Sequence, residues 1–317
     1  MNLAYRAVGF MCLCKLVFSI QDVVMKVMSA AYPVHEIMAI RSLVSLALLF
    51  VAIRLSGDSV RLNYDSARSL IFRGTLLFGS FSLFYLGLSE MPLTTNTALF
   101  FTSPLFITVF SIPLLGEEVG LRRWLGVLLG FVGVWIILRP GSSVYGFTSL
   151  YPIGAAILYA LAQLMSRKMG ARASAAVMTF FANVAYLFWA TLVAILVMPF
   201  DASPSGSNSM RFLLSDWSMP LSITDAALLA LTGVTGALGF WFSTQAYRIS
   251  EANRIAPFEY VMLIWIPILS YLLWREIPDN MTILGATVIV ISGLYVLKRD
   301  RKKSNQPIAY KGLSRTR

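Results

Sequence analysis

Charge is scarce in this 317-residue chain: Asp, Glu, Lys and Arg together make up 13 % of it, about half the share of an ordinary soluble domain. With 57 % hydrophobic residues and a mean hydropathy of +0.73, too little polar surface exists to coat a water-exposed globule. Disorder is excluded, and a soluble enzyme is disfavoured. Histidine occurs once, as His35, so zinc sites and histidine-based triads lack their residues. Cysteine occurs twice, as Cys12 and Cys14, one residue apart in an apolar stretch. That is too close for an ordinary disulfide and the wrong spacing for CxxC chemistry. No Walker loop is present. No cofactor and no metal site are expected.

What the chain has instead is long apolar runs. A spanning helix needs about 20 mostly apolar residues. Ten such segments can be marked: Val8 to Ala31, Val34 to Ile53, Ser69 to Ser89, Leu93 to Leu115, Leu121 to Leu138, Phe147 to Met165, Ala175 to Met198, Ser222 to Tyr247, Ala252 to Trp274 and Met281 to Leu297. The expected fold is an all-α integral membrane protein of ten transmembrane helices. Connections are short, and the long polar one, Asp201 to Leu221, contains the run ASPSGSNSM.

Net charge is +11, and where the cations lie decides what that means. Twenty of the 26 Lys and Arg fall in the N-terminus, alternate loops and the tail, whereas the opposite loops hold Arg139, Arg211 and Arg275. This asymmetry predicts both termini in the cytoplasm and makes nucleic acid an unneeded partner. The tail KRDRKK suits contact with anionic lipid. Lys15, Asp22 and Lys26 interrupt the first segment, which argues against a cleaved signal peptide.

Two stretches repeat one another. Starting at Ser89 and at Ser250, both run Ser-Glu, an apolar span, a Glu (Glu117 or Glu276), a Gly nine residues later (Gly126 or Gly285) and a last apolar span. The expected organisation is residues 1–140 as one five-helix unit, 141–300 as a second, and 301–317 as a basic cytoplasmic tail. Because five is odd, the two units enter the membrane from opposite sides, an inverted-topology repeat with a midplane site.

The stretch RGTLLFGSFSLFYLGLSEMPLTTNTALFFTSPLF, continuing through LLGEEVGLRRWLGVLLGFVGVWIILRPG, resembles the EamA domain of the drug/metabolite transporter superfamily. YVMLIW, YLLWREIPD and LGATVIVISG are similar to its second copy. The resemblance implies an inner-membrane carrier with a cavity lined by spans 1, 3, 4, 6, 8 and 9. The second copy has Leu263 where the first has Pro104, so a break in span nine is expected at Pro257 or Pro267.

Ionisable side chains at the centre of a span cost about 2.5 to 3.5 kcal/mol each and should face a cavity or a partner. These are Lys15, Asp22, Lys26, Arg41 and Glu259. At about 100° per residue, the first three form one stripe on helix one. The spacing allows Asp22 to serve as shared counter-ion of Lys26, at i+4, and of Arg41 on helix two. A structural clamp and a substrate-binding group both fit that pattern. Glu259 has Ile255 and Leu263 at i−4 and i+4, with Arg254 the nearest cation in sequence, which makes it and Asp22 the candidates for proton coupling. The remaining candidate cavity residues are Tyr85, Asn96, Phe100, Tyr159, Gln163, Trp241, Gln245, Tyr260 and Trp265. Three i, i+4 pairs among them set an aromatic ring beside an amide, which would suit a planar polar solute, although any one such residue is more often lipid-facing or ordinary packing.

The expected function is secondary transport of a small polar or amphipathic organic metabolite by alternating access, with coupling to protons. Export of amino acids or drugs, lipid flipping and an intramembrane enzyme are the alternatives. The expected partners are the small-molecule substrate and membrane lipid, and the expected state is a monomer or homodimer.

Overall fold

The computed structural model describes residues 3–56, 64–115, 121–138, 146–169, 174–197, 207–217, 222–249 and 256–304. Among them every regular element is a helix. The first half runs α1 (Leu3–Met28), α2 (Val34–Ser56), α3 (Tyr64–Glu90), α4 (Leu93–Phe100), α5 (Ser103–Leu115) and α6 (Leu121–Leu138). The second begins with a 3-10 turn (Gly146–Ser149), then α7 (Leu150–Met169), α8 (Ala175–Val197), α9 (Asn208–Leu214) and α10 (Ile223–Ile249). A second 3-10 turn (Ala256–Val261), α11 (Met262–Trp274) and α12 (Asn280–Ser304) complete it.

Among the described residues, seven helices are long and apolar enough to cross a membrane, including Tyr5–Met28, Val34–Leu55 and Ile223–Ala246. Three shorter apolar helices, Trp124–Leu138, Phe258–Trp274 and Asn280–Ser292, occupy the fifth, ninth and tenth apolar segments. The chain is a multi-pass membrane protein. Its periphery agrees: Leu128, Trp135, Ile195 and Leu272 are more than half exposed, a poor surface for water and a good one for lipid.

Local chemistry explains the broken elements. Segment four changes direction at Phe101–Thr102, where the Thr102 hydroxyl donates to Leu99 O at 2.8 Å. Pro104 then falls in the first turn of α5, where its missing N–H costs nothing. In segment nine the change from 3-10 to α geometry comes at Val261–Met262, after Pro257, while Pro267 lies inside α11 without ending it. The long polar connection holds a helix of its own. Ser207 caps α9 by accepting from the Met210 N–H at 3.3 Å, and α9 packs on α3 and α2. Residues 201–206 and 218–221, Glu117, Arg254 and the tail from 305 on lie outside the described residues.

Helix partnerships recur between the halves. The α1 helix packs on α10 as α7 packs on α3; α2 on α10 as α8 on α3; α1 on α11 as α7 on α5. The α2–α8 and α6–α12 pairs map onto themselves under the same exchange. The α6–α12 crossing is close because it is glycine against glycine. A Cβ on Gly133 would lie 2.7 Å from Gly285 O, and one on Gly285 would lie 2.6 Å from Gly133 O.

Candidate functional site

The stripe on α1 faces the ninth segment of the other half. Lys15 Nζ lies 3.8 Å from Glu259 Oε2, both side chains under a tenth exposed. Lys26 Nζ donates to Glu276 Oε1 at 2.7 Å and sits 4.6 Å over the Trp274 ring. Lys15 and Lys26 are eleven residues apart, so the pairs stitch α1 to the ninth segment at two depths about 16 Å apart.

This corrects the pairing expected from sequence. Lys26 turns to Glu276 rather than down its own helix to Asp22, because a half-exposed partner at 2.7 Å with an aromatic ring beneath is the better acceptor. Glu259 is paired with Lys15 from α1. Both acids come from the second half and were invisible to a helical-wheel reading of the first.

Asp22 and Arg41 remain at the centre. Asp22 is 2 % exposed, and among the described residues no hydrogen bond and no ion pair within 4 Å reaches its carboxylate. The cations acting on it are Arg41 first and Lys15 second. Arg41 is fully buried, its guanidinium 5.6, 5.4 and 5.7 Å from the rings of Phe81, Tyr186 and Phe240. Gly236 makes room for it: a Cβ there would stand 2.6 Å from Arg41 Nε. Next to Asp22, the Gln21 amide donates to the Tyr85 hydroxyl at 2.6 Å, and Thr235 donates to Gln21 Oε1 at 3.4 Å.

The other candidates divide. Phe100 packs edge-on to Phe84 and Tyr159, at 5.1 and 5.3 Å. Tyr159 reaches Gln163 and lies in the field of Glu259 and Arg73. Tyr260, buried and with no hydrogen-bond partner for its hydroxyl among the described residues, stacks at a tilt on Phe101 at 5.5 Å. Tyr159 and Tyr260 both feel the charge of Glu259, and Phe100 adjoins them through Tyr159. Asn96 instead ties α4 to α3, donating to Phe84 O at 3.0 Å. Trp241 belongs elsewhere, against Phe10 and Phe242 and the small cluster around Ile53, Leu70 and Met169. Gln245 and Trp265 are half-buried and join neither group.

Arg73, one of the twenty cations that the loop-charge asymmetry assigns to the cytoplasmic side, is 3 % exposed within α3, and its Nε donates to Ser166 Oγ on α7. The signal was there, since Arg73 stands four residues inside the third apolar segment. Gln21 and Thr235 gave no such signal, because an amide or hydroxyl in a span is common and cheap.

At the end of the bundle carrying the α1–α2 turn, further contacts cross between the halves. The Tyr32 hydroxyl donates to Asp225 Oδ2 at 2.6 Å, a bond that pushes its pKa up to about 12. Trp217 Nε1 donates to His35 Nδ1 at 2.9 Å, and the Ser209 N–H donates to Glu90. With Lys26–Glu276, these contacts tie the two halves together at that end.

Two helical halves with exchanged partnerships, and buried charges stitched across the seam between them, define a duplicated membrane transporter. The chain belongs to the EamA-like transporter family, whose model matches residues 6–139 and again 146–298. It is 33 % identical over 216 residues to the riboflavin transporter of Vibrio cholerae, covering 68 % of this chain and 66 % of that protein, just under two thirds of its length. It is 29 % identical to the S-adenosylmethionine uptake transporter of Rickettsia bellii, over 75 % of each chain. Identity to the pseudopaline exporter CntI of Pseudomonas aeruginosa is 28 %, over 90 % of this chain and 93 % of that one. A solved protein structure overlays with a TM-score of 0.62 at 18 % identity, covering 96 % of this chain and 97 % of that one, and so shares the fold. Family and relatives point to transport and not to catalysis.

Proposed function

We propose that the protein is a secondary transporter carrying a small, flat, polar or amphipathic organic metabolite across the inner (plasma) membrane by alternating access. The observation that carries this reading is the buried charge along α1, where Lys15, Asp22 and Lys26 meet or approach groups of α2 and of the second half. Buried charges are costly, and a seam that uses them in place of apolar packing has contacts it can exchange.

Seven long and three short apolar helices serve as ten spans in two inverted five-helix repeats, residues 1–140 and 141–300, with both termini and the 301–317 tail in the cytoplasm. The loop-charge asymmetry supports that orientation. The α1–α2 turn then faces outward, and the contacts of Lys26, Tyr32, His35 and Glu90 are an outer gate in its closed state. Tyr85, Phe100, Tyr159, Gln163 and Tyr260 line the solute's path with Asp22, Arg41 and Glu259. Proton coupling runs through Glu259: protonation would release Lys15 from its 3.8 Å pair and loosen α1 from the ninth segment. Asp22 is the second coupling candidate. The protein works in lipid as a monomer or homodimer.

The riboflavin and S-adenosylmethionine relatives favour uptake of a vitamin-like or nucleoside-like solute. Export is the second reading, favoured by the exporter that aligns over 90 % of this chain. Purified protein in liposomes, challenged with a panel of labelled metabolites, tests the proposal. Saturable, protein-dependent uptake of at least one flat solute supports it, and permeation of none would reject it.

A further inference from the structure

Asp22 and Arg41 present an unusual arrangement. A buried charge normally touches its counter-ion, since leaving either one unsatisfied costs more than exposing it. These two lie close enough to act on each other, yet no ion pair within 4 Å joins them. Arg41 Nη1 has the Met38 sulfur at 3.6 Å, a weak acceptor, while among the described residues no hydrogen bond within 3.5 Å engages Nε or Nη2. The rings of Phe81, Tyr186 and Phe240 stand 5.6, 5.4 and 5.7 Å from the guanidinium and Gly236 lies against its Nε edge, so it is packed on several sides. Asp22 is held one residue along α1 from Gln21, whose amide is fixed by Tyr85 and Thr235.

We infer that this split pair reads an edge of the transported solute on which an N–H stands next to a C=O, as in a lactam or imide ring. The N–H donates to the Asp22 carboxylate, and the carbonyl accepts from Arg41 Nε or Nη2. Neither group alone would do. A simple anion that satisfies Arg41 is repelled by Asp22, and a simple cation that satisfies Asp22 is repelled by Arg41. An edge carrying both donor and acceptor completes both at once, without net charge. The surrounding rings suit a flat heterocycle. Both groups are enclosed in this state, so the solute reaches them when one end of the bundle opens. The inference rests on the transport reading and narrows its substrate class.

The test compares N–H with N–CH3. Lumiflavin, whose one N–H is the imide at N3, and 3-methyllumiflavin are titrated by fluorescence against the purified wild-type protein in detergent, and uridine, 3-methyluridine and glycine are tried as competitors. Methylation removes the donor and adds a methyl group, so the N–H form of each pair should bind at least about tenfold more tightly, and the Asp22 variant separates the lost hydrogen bond from the added bulk. In Asp22→Asn, which loses the charged acceptor, that preference should collapse to within about threefold while both forms still bind. Equal binding of the N–H and N–CH3 forms by wild type would overturn the inference, as would no binding of either imide, or competition by glycine alone. The wild-type comparison stands even if the variant does not fold. The two readings fail separately: a tenfold N–H preference without passage into liposomes rejects transport, and passage without that preference rejects the edge.

Discussion

Removing Lys26 should report which acid it serves. The Nζ to Glu276 distance of 2.7 Å is that of a charge-assisted hydrogen bond, about 1.5 to 3 kcal/mol when shielded. The side chains are 15 and 30 % exposed, and solvent screening brings this to about 1 to 2 kcal/mol. The Trp274 ring 4.6 Å below adds about 0.5 to 1 kcal/mol. Lys26→Met should therefore cost about 1.5 to 3 kcal/mol, a fall of roughly 3 to 6 °C in the melting temperature of a protein this size. The assay is a pair of double-mutant cycles on thermal unfolding in detergent. Lys26→Met with Glu276→Gln should show a coupling of about 1 to 2 kcal/mol, and Lys26→Met with Asp22→Asn less than about 0.5 kcal/mol. Coupling concentrated in the Asp22 cycle would refute the cross-half pairing and restore the same-helix pair that residue spacing alone suggests.

Glu259→Gln leaves Lys15 charged and 5 % exposed; transport down a solute gradient should persist, while accumulation driven by a pH gradient alone should fail, and a variant that still concentrates solute removes Glu259 from coupling. Adding Lys15→Met to Glu259→Gln should recover stability by about 1 to 3 kcal/mol, read as a rise in melting temperature over the single variant; no recovery would mean the pair is not coupled. Gly236→Ala drives a methyl group to 2.6 Å from Arg41 Nε with rings on the other sides, and should cost about 1 to 3 kcal/mol; wild-type stability would show that the guanidinium can move away. In right-side-out cells, a membrane-impermeant maleimide should label single cysteines placed between 207 and 217 and miss those placed between 305 and 317, in a background lacking Cys12 and Cys14; reversed labelling would invert the proposed orientation.

Apolar length and duplication were legible because they are properties of neighbouring residues: every apolar segment holds a helix, and the family model falls twice along the chain. The α1 stripe was legible for the same reason, since Lys15, Asp22 and Lys26 share a face by spacing alone. Their partners were not. Glu276 is 250 residues from Lys26 and looked like a loop acid, and Glu259 meets Lys15 only because α1 packs on the second 3-10 turn and α11. Spacing supplies i±3 and i±4 neighbours, so it offered Lys26 the nearest carboxylate on its own helix. The aromatic residues divided for a similar reason. Periodicity placed Trp241 and Tyr159 on suitable faces but said nothing of depth, and packing put Tyr159 beside the charges and Trp241 with Phe10. The arrest of Arg41 among three rings depends on α3, α8 and α10 converging, which only the fold reveals.

The most direct measurement of carrier function is counterflow. Liposomes containing the protein are loaded with an excess of an unlabelled solute that binds, then diluted into a trace of the same solute carrying a label, with no ion gradient. A carrier whose site faces one side at a time should draw the label in above its equilibrium level and then release it. A monotonic rise to equilibrium, as through a pore, or no entry of label at all, would contradict alternating access at a site between the two halves.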